Sequence, residues 1–150
     1  MRILGHNLPD RMKWLISNDR WKVDDPTLLA ELARFSPREL GLELLCPNGM
    51  KSQTRAMRRQ SFSSTAKYYG VNSPWRIWRR NIDSEILDAF SCLLLVVTKG
   101  ENFVVLDYRT ETPCVRASIE TDSGWLRYPI VADSFDLFAD KLGMPRPEHA

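Results

Sequence analysis

Histidine, the commonest general base, occurs twice in the 150 residues, as His6 and His149 near the two ends. Neither stands in a motif with cysteine or serine, so no Cys/His or Ser/His nucleophile pair is predicted. Cys46, Cys92 and Cys114 lack metal-type spacing and form an odd set. Cys92 and Cys114 lie in apolar contexts, which predicts reduced, buried thiols, and nothing near Cys46 marks it as reactive. The seven glycines are scattered singly, so neither a phosphate-cradling loop nor a dinucleotide fingerprint can be drawn. Asp133, Asp136 and Asp140 have the three- and four-residue spacing that would let two carboxylates on one helix face hold a metal. A capping residue followed by a solvated face explains the same spacing more simply. Asp107 ends the apolar string Val104-Val105-Leu106, a place where acids can serve catalysis. With Asp133 and Asp136 it makes the one carboxylate set on which a hydrolase or transferase could be built. Isolated as it is in sequence, Asp107 is expected instead to accept hydrogen bonds from the turn backbone or Arg109. No enzyme, cofactor or metal site is expected.

A different chemistry is written between residues 44 and 82, where eight basic side chains stand without one acid. Residues 83–150 carry twelve acids against six bases, and residues 1–43 balance at seven each, so the net charge of +2 conceals a division along the chain. Aromatic residues are interleaved with the bases: Tyr68, Tyr69, Trp75 and Trp78 among Arg55, Arg58, Arg59, Lys67, Arg76, Arg79 and Arg80. These are the residue types that anchor protein interfaces, and also those that stack bases and seek phosphates. Such a stretch can attract nucleic acid, an acidic protein or the chain's own acidic half. A dedicated nucleic-acid binder usually has a domain pI above about 9, against about 8.5 here. The bland alternative keeps the tryptophans in the core and the arginines on a solvated rim.

The elements that must position these groups are legible in part. At 43% hydrophobic and 27% charged residues, the composition is that of one ordinary folded domain spanning 1–150, and excludes disordered, collagen-like and disulfide-scaffold classes. The longest apolar run, Cys92 to Val97, is far short of a membrane span. No secretory h-region follows Met1, so a cytoplasmic protein without membrane partners is expected. Pro9 with Met12, Leu15 and Ile16 predicts a short helix, and the Asp25-Pro26 cap with Leu28, Leu29, Leu32 and Ala33 predicts a second ending near Phe35. The capping-box pattern at Ser36 and Glu39 predicts a third, running towards Leu45. Met50, Thr54 and Met57 share a helical face opposite Lys51, Arg55, Arg58 and Arg59. Ser61 to Thr65 and Gly70 to Pro74 read as loops or strand ends, and Asp83 introduces a short amphipathic helix through Ile86, Leu87 and Phe90. Ser91–Thr98 and Phe103–Tyr108 flank the turn residues 99–102 as a hairpin, and Val115, Ala117 and Ile119 alternate with polar residues as a third strand with one solvated face. Asp133 or Ser134 caps a closing helix with Phe135, Phe138 and Leu142 on one face, ended by Gly143 and Pro145. The fold class is therefore α+β, with helices packed on a central sheet, antiparallel or mixed.

In this order the C-terminal half carries Ile86-Leu87-Asp88-Ala89-Phe90 before an apolar strand. A Gly100 turn follows, then Val104-Val105-Leu106-Asp107-Tyr108-Arg109, Pro113-Cys114-Val115, a segment at Trp125, and Ile130-Val131-Ala132-Asp133-Ser134-Phe135-Asp136-Leu137-Phe138. Over residues 82–144 the chain resembles the SUKH superfamily, which includes bacterial immunity proteins and the fungal Smi/Knr cell-wall regulators. The Leu8-Pro9 pair echoes the start of many members, whereas their glycine-rich segment is missing, with Trp14, Asn18 and Trp21 near its place. The resemblance implies a non-catalytic α+β domain that binds and neutralises a cognate toxin domain, such as a nuclease or deaminase, delivered by a neighbouring cell. Arg55, Arg58, Arg59, Tyr68, Tyr69, Trp75, Arg76, Trp78, Arg79 and Arg80 are the partner-binding candidates, and nucleic-acid binding through 51–80 is the competing reading.

Overall fold

The computed structural model describes residues 1–35, 41–64, 66–72 and 84–148, with Lys67 described by its backbone alone. The expectations placed on Ser36 and Glu39, Thr65, Ser73 to Asp83 and His149 lie outside the described residues.

The chain begins with a hairpin of two-residue strands, β1 (Arg2–Ile3) and β2 (His6–Asn7). Leu4 and Gly5 between them both have positive φ, 51° and 84°, the backbone of a two-residue turn whose twist matches antiparallel strands. Helix α1 (Asp10–Ser17) follows and buries Arg11, Met12 and Leu15. Helix α2 (Pro26–Ala33) starts as predicted, the Asp25 carboxylate accepting from the amides of Thr27 and Leu28, and ends at Arg34 in the left-handed conformation. Its stripe is narrower than expected: Leu29 and Ala33 are buried, while Leu28 is exposed.

No helix reaches Leu45. Glu43–Leu44 form strand β3, paired antiparallel with Val97 and Val96. Helix α3 (Pro47–Gln60) has Met50, Thr54 and Met57 on its buried face, as the spacing predicts. A single 3-10 turn (Ala66–Tyr69) leads to Val71, which pairs with Leu87 in an isolated parallel bridge. That bridge is why Ile86 to Phe90 is not the helix expected. The Leu87 amide donates to Gly70 O and its carbonyl accepts from Asn72, both at 2.7 Å, so its hydrogen bonds go to a distant segment. Asp88 then accepts from the Phe90 amide and the Ser91 hydroxyl, which fixes a turn. Gly70 itself has φ of +69°, and a Cβ there would collide with the Leu126 carbonyl oxygen.

Among the described residues the main sheet has five strands in the order β3, β4 (Cys92–Val97), β5 (Phe103–Asp107), β6 (Cys114–Ala117) and β9 (Ile130–Ala132), every neighbouring pair antiparallel. The predicted meander is its centre. Cys92 to Val96 are all buried, and since successive side chains point to opposite faces, both faces are covered at β4. Leu95 is an extra residue in β4, where the register with β5 shifts. Thr54 Oγ1 accepts from the Leu94 amide at 3.0 Å, and Leu95 O accepts from Leu45 N at 2.8 Å, so the bulge is bonded to α3 and to the end of β3.

The third strand departs from expectation. Arg116 and Ser118 are buried, so this face of β6 is not solvated, and the strand breaks after Ala117. Ile119–Glu120 becomes β7, which pairs with β8 (Leu126–Arg127) as a separate hairpin. Helix α4 (Phe135–Lys141) is capped by Ser134, whose hydroxyl accepts from the Leu137 amide, and buries Phe135 and Phe138. Buried Arg11 ties α1 to this helix, donating to Asp140 at 2.7 Å and to the carbonyls of Asp136 and Met144. One apolar cluster runs through these elements from Ile3 to Met144. The fold is α+β, and among the described residues no helix is long and apolar enough to cross a membrane.

Candidate partner-binding face

A 14-residue helix with four cations and no acid repels itself unless tertiary packing holds it, and in α3 the buried stripe of Met50, Thr54 and Met57 does so. The residues left outside are Lys51, Arg55 and Arg59, four apart and therefore in one row. All three are exposed, and among the described residues no carboxylate is paired with them. Arg58, one position aside, is half-buried and donates to the carbonyls of Ala89 at 3.2 Å and Phe90 at 3.5 Å. Its guanidinium carbon lies 5.0 Å from the centroid of the Phe90 ring, a cation–π contact. Phe62, just beyond the helix, meets Phe90 edge-on with centroids 6.0 Å apart. Both rings remain open to solvent, 56% for Phe62 and 41% for Phe90.

His6 completes the support behind this patch. Its Nε2 lies 3.0 Å from Phe90 O, and its ring stacks on Tyr108 at 4.5 Å. Burial pushes the imidazole pKa below its ordinary value, and the hydrogen bond to Phe90 offsets that in part. The Tyr108 hydroxyl donates to Asn7 O, which closes the β1–β2 hairpin over the same end of the sheet.

The predicted site residues thus divide. Arg55 and Arg59 share the exposed row of α3 and Arg58 lies half-buried beside it, while Tyr68 stands apart, 48% exposed and edge-on to Trp125 at 6.5 Å. A cleft of about 960 Å³ lies between these two aromatic groups, bordered by Phe62, Val71, Ile86 and Trp125. Tyr69 is half-buried against the core, and its carbonyl accepts from the Tyr128 hydroxyl. Trp75, Arg76, Trp78, Arg79 and Arg80 lie outside the described residues. Sequence reasoning missed Phe62 and Phe90 as surface residues. A lone phenylalanine in the serine-rich segment directly after the cationic helix was the available signal for Phe62.

The carboxylates singled out for chemistry occupy three different settings. Asp107 is 2% exposed and accepts from Arg109 and from Arg116 Nε, the latter at 2.8 Å. Burial alone would raise its pKa, but the hydrogen bonds and charge of Arg109, with the charge of Arg116, hold it below the ordinary carboxylate value. This is the turn role the sequence suggested, extended by a second arginine. Asp140 is held at about 2 by the guanidinium groups of Arg146 and Arg11. Asp133 and Asp136 are exposed, one just before and one in the first turn of α4, whereas Asp107 is buried in β5. Among the described residues no three histidine, cysteine or carboxylate side chains gather into a metal-binding group. Cys92 and Cys114 are buried, as expected, and burial beside Asp107 pushes the Cys92 thiol up to about 12. Cys46 is exposed, and its sulfur accepts from the Gly49 amide at the start of α3.

No family model, no curated protein and no solved structure matches the chain.

Proposed function

We propose that the chain is a non-catalytic binding protein, and within that class an immunity protein of the SUKH type that occludes a cognate toxin domain. The observation that carries the binding reading is the α3 face: an exposed row of cations ends at a partly exposed aromatic pair held in place by Arg58, Asp88 and His6. Arginine and aromatic side chains on a rigid support lose little freedom on association, and such residues supply most of the energy at interfaces. The order of elements supports the immunity reading, since a β4–β5–β6 meander, a further strand and a closing helix entered through Ala132-Asp133-Ser134-Phe135 follow the family's pattern.

The test is capture from a lysate of the chain's own organism at moderate salt, with bound protein and nucleic acid both identified. Any captured protein is then assayed for nuclease and deaminase activity with and without an equimolar amount of the purified chain. A stoichiometric partner whose activity is abolished is the expected outcome. A partner that stays active on binding overturns the immunity reading, and recovery of nucleic acid alone replaces it with nucleic-acid binding.

A further inference from the structure

The geometry points to a specific chemistry for that partner: an acidic polypeptide segment that lies along α3 and seats an apolar side chain against Phe62 and Phe90. This rests on the binding-protein reading and adds the sign of the partner's charge, since the twelve acids of residues 83–150 could in principle face a basic partner instead.

The acids of the C-terminal half do not make one face. Glu85 is paired with Arg127, Asp107 with Arg109 and Arg116, and Asp140 with Arg11 and Arg146, while Asp88 holds the turn at Phe90. Of the other described acids, Glu101 and Glu120 lie at the end of the sheet where β4 turns into β5, with Asp122 in the turn between β7 and β8. Glu111, Asp133 and Asp136 lie at the opposite end, beyond β5 and β9, and Glu148 follows α4. A basic partner would meet acids divided between two ends. The cations of α3 are gathered instead. Lys51, Arg55 and Arg59 span about 12 Å at the helical rise of about 1.5 Å per residue, with no acid on the same helix. Field lines from such a row add, which favours an anionic partner and speeds its capture.

The aromatic end of the row decides between a polypeptide and a nucleic acid. Base stacking needs an open ring face. Phe90 has Arg58 over its ring and meets Phe62 at 84°, so its ring is already engaged by a guanidinium and by a second ring. The exposed apolar surface of two rings set edge to face suits a leucine- or phenylalanine-sized side chain, and the neighbouring cations suit carboxylates.

The test uses the full chain and a fluorescein-labelled 20-residue peptide of glutamate with leucine at every fourth position, followed by fluorescence anisotropy. The same peptide with lysine for glutamate and a labelled 20-nucleotide oligothymidine are the comparisons. The glutamate peptide is expected to bind, more weakly as salt is added, and the two comparisons to bind at least tenfold less well. Arg55→Glu with Arg59→Glu, both at exposed positions, is expected to weaken binding at least tenfold with an unchanged circular dichroism spectrum. Phe62→Ser is expected to weaken it about fivefold. Tighter binding of oligothymidine, no binding of the glutamate peptide, or indifference to the three substitutions overturns the inference. Capture of a neutralised toxin that survives Arg55→Glu with Arg59→Glu would remove this face while leaving the binding-protein reading intact.

Discussion

The Asp107 carboxylate accepts Arg116 Nε at 2.8 Å across the β5–β6 pair, both side chains almost wholly buried. Arg116 stands opposite Val105, two residues from Asp107, so the two charged groups share one face of the sheet on the diagonal. The same guanidinium donates to Tyr128 O, and Arg109 reaches the carbonyls of Ile86 and Ser84. The cluster therefore joins the sheet to the 84–90 turn and to the approach to β9.

Removing the anion leaves Arg116 buried without a counter-charge. Asp107→Ala is expected to cost about 3–5 kcal/mol in urea unfolding, and replacing both partners, Asp107→Leu with Arg116→Met, to recover most of it. A loss below about 1 kcal/mol for the single change would contradict a structural role for the pair.

The depressed pKa of Asp107 fixes the direction of an acid response. A carboxyl lowered on folding adds stability that is complete above its unfolded value of about 3.9 and is lost as pH falls through the folded value. The urea midpoint is expected to fall below about pH 4, and Asp107→Asn to flatten that fall. Asp140, held at about 2, acts in the same sense and keeps some of the response in the Asp107→Asn protein. Urea titrations at a series of acid pH values measure both.

His6 carries the opposite ionisation chemistry. Its imidazole is lowered by burial, so the unfolded chain binds the extra proton first, and the His6 contribution to stability is complete above about pH 6.5 and lost as pH falls through the folded value. Proton NMR of the ring is expected to give a midpoint below about 6.5. Arg58→Gln, which removes a neighbouring cation, is expected to move that midpoint upward. A midpoint at or above the ordinary value would show the ring to be solvated.

Thr54 is the buried hydroxyl that accepts the Leu94 amide beside the β4 bulge. Thr54→Val keeps the shape and removes the acceptor, with an expected cost of about 1–3 kcal/mol, whereas Thr54→Ser keeps it and leaves the hydrogen bond in place. Amide exchange at Leu94 reports the difference directly, and equal protection in both variants would contradict the assignment.

What the sequence disclosed were the features that depend on neighbours in the chain. The Asp25-Pro26 start, the Met50-Thr54-Met57 stripe, the β4–β5 hairpin and the Ser134 cap are all set by residues within a few positions. The misreadings arise where a distant partner decides. Leu87 bonds to Gly70 and Asn72 rather than to its own helical turn, and Glu43 and Leu44 join the far side of β4. Alternation puts Arg116 on a solvated face because it cannot distinguish a charged residue facing water from one facing a buried carboxylate. The candidate face follows the same division. Lys51, Arg55 and Arg59 are legible as a row because helical periodicity is local, but the same periodicity puts Phe90 on a helix's apolar stripe, whereas the turn fixed by Asp88 makes it a surface ring.

The outer strands of the main sheet are its shortest parts, two residues in β3 and three in β9. Beside β9, Lys141 Nζ donates to the Val131 carbonyl at 3.4 Å, occupying an acceptor on that strand with a charged side chain. Long, uncharged margins of this kind are where one protein molecule templates the growth of another. A brief margin guarded by an ammonium group gives an incoming chain little to extend. The apolar centre built around β4 can therefore be as β-prone as Leu93-Leu94-Leu95-Val96 makes it without that property spreading to cross-β aggregation between molecules.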